Sequence, residues 1–241
     1  MNKGYKNEID FINHINNKEY RQLNILVQDM IKTLFPTIKT HDVIRAYKYG
    51  KFAKADIIIN VNDISKGISL KCGSKNFVHL EPIEKFINYL QTKNFNEADK
   101  LLRYLYSDGT NNNTGNKRES SEQYKIKNCE DIKILNAELE KIKKDLIIRF
   151  LIKTDINYKV NVDLFVISSV NDFIWATKEE VISYLYKNNL DSNSVHVSNL
   201  FIQNWDKNLN YNPKYEHCRN YIQIKWYSMF DDIINIMHEK K

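Results

Sequence analysis

Between positions 56 and 71 the chain reads Asp-Ile-Ile-Ile-Asn-Val-Asn-Asp-Ile-Ser-Lys-Gly-Ile-Ser-Leu-Lys. The β-branched run at 57–61, the polar stretch at 62–67 and the alternation over 68–72 predict two adjacent strands joined by a turn. Antiparallel pairing brings Asp56, early on the first strand, close to Lys71, late on the second. A carboxylate and an ammonium at one end of a sheet constrain both the fold and the chemistry it can support.

The flanking sequence supplies layers for such a sheet. Residues 6–34 carry apolar positions at Ile9, Ile12, Ile15, Leu23, Leu26, Val27, Ile31 and Leu34, which predicts one or two amphipathic helices ending near Pro36. A third short strand is expected at 77–80, running beside 68–72. Pro82 suits the first turn of a helix whose face is Ile83, Phe86, Ile87 and Leu90, and another helix is expected from Ala98 to Tyr106.

Residues 107–121 hold two glycines and no large apolar side chain, so an exposed loop is expected. It reads as a solvated spacer or as a flexible arm around a ligand. Helical periodicity returns over 132–152, followed by a strand at 160–167. A Thr177/Glu180 capping box then opens a helix. Strands are expected at 198–205 and 221–226, and a short helix closes the chain. This order predicts an α/β protein with a central mixed β-sheet flanked by helices. Residues 1–106 form the core with its N-terminal helices, 107–130 a polar loop, and 131–241 the helices and strands that complete the sheet.

With 42% hydrophobic and 27% charged residues, the 241-residue chain reads as a folded soluble protein. Its formal net charge of +6 is a mild push toward an anionic partner. Three cysteines at 72, 129 and 218 form no CxxC pair, which favours free thiols and a cytoplasmic location. No apolar stretch has the length of a signal or membrane span. The six histidines lack the spacing of a zinc site.

Cleaving a phosphodiester needs a held divalent metal, an activated water and tolerance of extra negative charge. Asp56 is a candidate ligand for hard Mg2+, the Leu70 carbonyl offers a further oxygen, and Lys71 is placed to orient water or offset phosphate charge. A second carboxylate is expected from Glu8 on the first helix, with Glu81 as its rival. The turn at 73–76 supplies Lys75 and Asn76 as phosphate donors.

At these residues the sequence resembles the PD-(D/E)xK nuclease superfamily. Asp56 matches the acidic residue that opens the second core strand, and Ser69-Leu-Lys71 matches the (D/E)-x-K tripeptide. Two departures stand out: Ala55 replaces a proline, and Ser69 replaces a metal-binding carboxylate. Glu8 matches a helix-borne glutamate found in some members. The wider layout resembles small type II restriction endonucleases that cut four-base sites, through Gly4-Tyr-Lys-Asn-Glu8, Leu101-Leu-Arg-Tyr-Leu105, Lys117-Arg118, Ile222-Gln-Ile-Lys225 and Met229-Phe-Asp231.

The resemblance implies a restriction-endonuclease-like core and Mg2+-dependent hydrolysis of double-stranded DNA at a short specific sequence. Catalysis is expected of Asp56, Lys71, Glu8 and Ser69, and metal binding of Asp56 with Glu8 or Glu81. DNA contacts are expected from Lys75, Asn76, Lys117, Arg118, Gln203, Asn204, Lys207, Arg219, Gln223 and Lys225, whose side chains suit phosphates and base edges. A second arrangement, Asp163 with Gln223-Ile-Lys225, ranks below the first. The protein is expected to act as a monomer or homodimer. The alternatives are a nonspecific, repair or phage-defence nuclease of the same fold, or a nucleic-acid-binding protein whose metal site has lapsed, which Ser69 favours.

Overall fold

The computed structural model describes residues 3–50, 53–71, 76–110, 117–153, 159–169, 172–205 and 218–239. Lys75 and Lys207 lie outside these residues. The first half runs α1 Lys3–Ile15, β1 Lys18–Glu19, α2 Ile25–Leu34, β2 Val43–Lys48, β3 Ile57–Val61, β4 Ile64–Lys71, β5 Phe77–Pro82, α3 Ile83–Gln91 and α4 Ala98–Tyr106. The second half runs α5 Ser121–Lys127, α6 Cys129–Glu140, α7 Lys143–Ile147, β6 Val162–Ser169, β7 Asp172–Thr177, α8 Lys178–Lys187, β8 His196–Val197, β9 Leu200–Asn204, β10 Tyr221–Trp226 and α9 Met229–His238. Two compact units result, the first made of three segments of the chain and the second of two. The first comprises Met1–Lys75, Leu151–Tyr184 and Ser228–Lys241, and the second Asn76–Phe150 and Leu185–Tyr227.

The first unit is built on a six-stranded mixed sheet in the order β1-β2-β3-β4-β6-β7. β4 and β6 run parallel and the other neighbours antiparallel. Alternation along the strands sends Ile44, Ala46, Ile57, Ile59, Val61, Ile68, Leu70, Leu164 and Val166 to one face. There they bury against Phe11, Ile12 and Ile15 of α1 and Val27, Met30, Ile31 and Leu34 of α2, spaced at the helical period. Asn24 caps α2 by accepting from the Val27 N–H at 2.9 Å.

The β3–β4 turn is shorter than the sequence suggests. Asn62, at φ 53°, turns the chain with Asp63, and Ile64 already pairs with Val61. Asparagine enters this left-handed region more readily than most residues. Gly67 therefore sits inside the strand, where a β-carbon would fall 2.1 Å from the Asn161 carbonyl oxygen and 2.9 Å from the Ala55 β-carbon. Glycine here permits close approach of neighbouring backbones. The β4–β6 register shifts at this point, Gly67 facing Val162 and Ile68 facing Leu164, so that Asp163 is an extra residue in a bulge.

The second unit holds a four-stranded antiparallel sheet in the order β5-β10-β9-β8. Ile202, Ile222, Ile224 and Trp226 are fully buried, as are Leu101, Leu135 and Leu139 of its helices. Tyr104 of α4 donates its hydroxyl to the Ile202 carbonyl at 3.1 Å. The expected pairing of 77–80 beside 68–72 is corrected: β5 pairs with β10, Leu80 facing Gln223, and β4 takes β6 as its second neighbour. The expectation of a wholly exposed loop at 107–121 is corrected too. Ser107 and Thr110 are buried, the Gly109 N–H donates to the Glu119 carbonyl at 2.9 Å, and Ser121 Oγ donates to the Ser107 carbonyl at 2.8 Å. Residues 111–116 of that stretch lie outside the described residues.

Candidate active site

Asp56 lies one residue before β3, and its backbone extends the sheet ladder on both sides. Its N–H donates to the Ile68 carbonyl at 2.8 Å and its carbonyl accepts from the Tyr49 N–H at 3.0 Å. The pair Ile57↔Ile68 then sets Ser69 opposite Asp56, with Lys71 as the diagonal neighbour on the same face. That face is the reverse of the one carrying Ile57, Ile68 and Leu70 into the core.

Three donors converge on a single oxygen, Asp56 Oδ2: the Leu70 N–H at 2.7 Å, Ser69 Oγ at 3.3 Å and Lys71 Nζ at 3.3 Å. Ser69 is buried, whereas the side chains of Asp56 and Lys71 keep 24% and 20% of their exposure, enough for solvent or a ligand to reach them. Oδ1 carries no hydrogen bond from the described residues, so the carboxylate is anchored through one oxygen and open at the other.

The two other expected carboxylates are engaged elsewhere. Glu8 Oε2 lies 2.6 Å from Lys48 Nζ, and that ammonium sits 3.9 Å from the centre of the Tyr5 ring. Lys48 pairs with Ile57, so alternation sets it on the core face, opposite to that of Asp56. Glu81 belongs to the second unit and is 4% exposed. Arg149 grips both its oxygens at 3.1 and 2.5 Å, and His79 Nε2 lies 2.9 Å from Oε1. Burial pushes its carboxyl up, but the His79 and Arg149 hydrogen bonds outweigh burial and hold it at about 2. Among the described residues no group of three His, Cys, Asp or Glu side chains is arranged to hold a metal. One free carboxylate oxygen beside a hydroxyl still fits Mg2+ bound chiefly through water and substrate phosphate, the usual habit of this ion.

The remaining expected contacts divide into engaged and available groups. Arg118 pairs with Asp108 at 3.3 Å and stacks 5.4 Å from the Tyr106 ring, while Lys117 is exposed. Arg219 Nη1 hydrogen-bonds Thr110 Oγ1. The Asn76 carbonyl accepts from the Trp226 N–H at 2.7 Å. Asn204 faces Ile222, its Nδ2 buried. Gln203, Gln223 and Lys225 lie part-exposed on β9 and β10. Asp163 on β6 and Gln223-Ile-Lys225 on β10 stand in different sheets, so the lower-ranked second arrangement is not formed by neighbouring strands.

Asp163 instead accepts from the Gly67 N–H at 3.1 Å and Lys178 Nζ at 2.7 Å, with Lys66 Nζ at 3.5 Å. The Asp163 hydrogen bond raises the Lys178 ammonium above its ordinary value. The strand was expected but not this bulge lock, because Val162, Leu164 and Val166 keep an unbroken alternation and the register shift against β4 leaves no mark in the residues of β6 itself.

No protein-family model matches the chain, and no curated protein matches it. Among solved structures it is similar to the restriction endonuclease MspI in crystalline complex with its cognate DNA. The TM-score is 0.56 at 11% identity, over 92% of this chain and 87% of that one. At such low identity the likeness is one of fold, and the fold is a restriction-endonuclease-like α/β core with a mixed sheet flanked by helices. Among the described residues no helix is long and apolar enough to cross a membrane.

Proposed function

We propose that this protein is a Mg2+-dependent endonuclease of restriction type that hydrolyses double-stranded DNA at a short sequence. The observation that carries the reading is the convergence of the Leu70 N–H, Ser69 and Lys71 on one oxygen of Asp56, within a fold like that of a restriction endonuclease. Asp56 would hold the cation through Oδ1, where it supplies Lewis-acid polarisation of the phosphate. The Leu70 N–H and Ser69 fix the carboxylate, so that no reorganisation is needed when substrate arrives. Lys71, next to the same carboxylate and partly open to solvent, orients the attacking water and offsets charge on the phosphate. Water would attack the phosphorus in line with the 3′-oxygen, which departs and takes up a proton, giving a 5′-phosphate and a 3′-hydroxyl as the resemblance to the nuclease superfamily implies. A single metal is assigned, because a hydroxyl at position 69 offers no second carboxylate.

Plasmid digestion with Mg2+ tests the reading. Discrete fragments are expected from the wild type, and Asp56→Ala should lose at least about 10²-fold in rate while still binding DNA in EDTA. An Asp56→Ala variant cutting at the normal rate would remove this site from the mechanism. Ser69 also favours a second reading, a nucleic-acid-binding protein that no longer cuts. Intact plasmid in both Mg2+ and Mn2+, with retained DNA binding, would select it.

A further inference from the structure

We infer that the part-exposed face of the four-stranded sheet is a separate site that binds an unpaired DNA strand. The inference shares with the proposed function only the assumption of a nucleic-acid partner, and it does not depend on the chemistry of Asp56.

The register assembles this face. Gln203 of β9 faces Gln223 of β10, Phe201 faces Lys225, and Tyr221 stands two residues before Gln223 on the same side. The intervening residues Ile202, Ile222, Ile224 and Trp226 are buried on the reverse side. The burial pattern of β10, part-exposed at every second residue, shows the same division.

The polar groups here have unused capacity. Gln223 makes no side-chain hydrogen bond among the described residues, and Lys225 forms no ion pair among them; its ammonium lies 5.7 Å from the Tyr227 ring centre. Gln203 donates one N–H to the Tyr227 hydroxyl at 2.9 Å, which leaves its second N–H and its carbonyl oxygen. Around them, Tyr227 is 51% exposed and meets Phe201 edge-on at 5.2 Å. Tyr221 meets Trp205 edge-on at 6.0 Å. None of these side chains is acidic, and Lys225 is the cation among them.

Rings, amides and one ammonium on a sheet suit bases that are not paired. Neighbouring strands lie about 4.8 Å apart, so the outer strand axes of four are separated by roughly 14 Å. A major groove of about 12 Å does not admit such a sheet, and short amides on it cannot reach base edges inside a duplex. Unpaired bases present both a ring face for stacking and a free hydrogen-bonding edge. Gln203, Gln223 and Lys225 are thereby reassigned from duplex base edges to an unpaired strand of about two or three nucleotides.

Fluorescence anisotropy in EDTA, with labelled 12-nucleotide single-stranded DNA, the matching duplex and the matching RNA, tests the assignment. The wild type is expected to bind single-stranded DNA more tightly than duplex through this face. Tyr227→Ala should weaken single-strand binding roughly 5- to 100-fold, with duplex cleavage unchanged. Tyr227→Phe, which keeps the ring, should retain most of the affinity. Single-strand binding unaffected by Tyr227→Ala and by Lys225→Gln overturns the inference, and a preference for RNA overturns the assignment to DNA. A protein that cuts plasmid but ignores single strands loses this site and keeps the nuclease reading. One that never cuts, yet binds single strands through Tyr227, does the reverse.

Discussion

At position 69 a buried hydroxyl stands 3.3 Å from the Asp56 carboxylate, where a carboxylate would give the proposed cation a second anionic ligand. Ser69→Asp places two like charges together, which is unfavourable until a cation joins them. In EDTA this variant should be less stable by about 1–3 kcal/mol, a fall of several degrees in melting temperature for a chain of this size. Added Mg2+ or Mn2+ should raise its melting temperature by more than it raises that of the wild type. Equal metal responses of the two proteins would argue against a cation at Asp56. The meeting of Asp56 with Lys71 was legible in the sequence, because the two-residue period and an antiparallel turn together fix which side chains share a face. The engagements of Glu8 with Lys48 and of Glu81 with Arg149 were not, since each joins residues far apart in the chain with no local pattern to announce them.

Among the elements, β4 depends most on a single small residue. Gly67→Ala forces a β-carbon against the Asn161 carbonyl, and a loss of about 1–3 kcal/mol is expected from urea denaturation, together with reduced cleavage as β4 shifts under Ser69 and Lys71. An unchanged denaturation midpoint would show that β6 yields at no cost. The bounds of α4 and β10 are those read from the sequence, because both carry clean periodicity and abrupt ends. β2 escaped notice: apolar Val43 and Tyr47 are exposed beside buried Ile44 and Ala46, which blurs the alternation. β5 was recognised as a strand but given the wrong neighbour, since a strand's own residues do not name its partner. Gly67 was read as part of a turn for the same reason, its true role lying in what packs against it.

For the whole molecule, acid sensitivity concentrates in the second unit. Burial and the nearby Lys143 hold the His196 imidazole down at about 4, so the unfolded chain takes up a proton there first. Stability should therefore fall as pH drops from about 6.5 toward 4. Glu81, held at about 2, contributes stability that is present above its unfolded value near 4.5 and lost as pH falls toward 2, on the order of 3 kcal/mol in all. Hydrogen exchange across this range should show amides of Asn76–Phe150 and Leu185–Tyr227 losing protection before those of the first unit. Glu81→Gln should remove the lower part of this pH dependence and, by stranding Arg149, cost roughly 3 kcal/mol at neutral pH. The parallel pairing of β4 with β6 has another consequence. Residues 76–150 separate those two strands, and the first unit also draws on its closing segment from Ser228. On the ribosome, Asp56, Ser69 and Lys71 emerge early but wait for that closing segment before their unit is whole, so a stalled or shortened chain would hold these three side chains on an unfinished sheet.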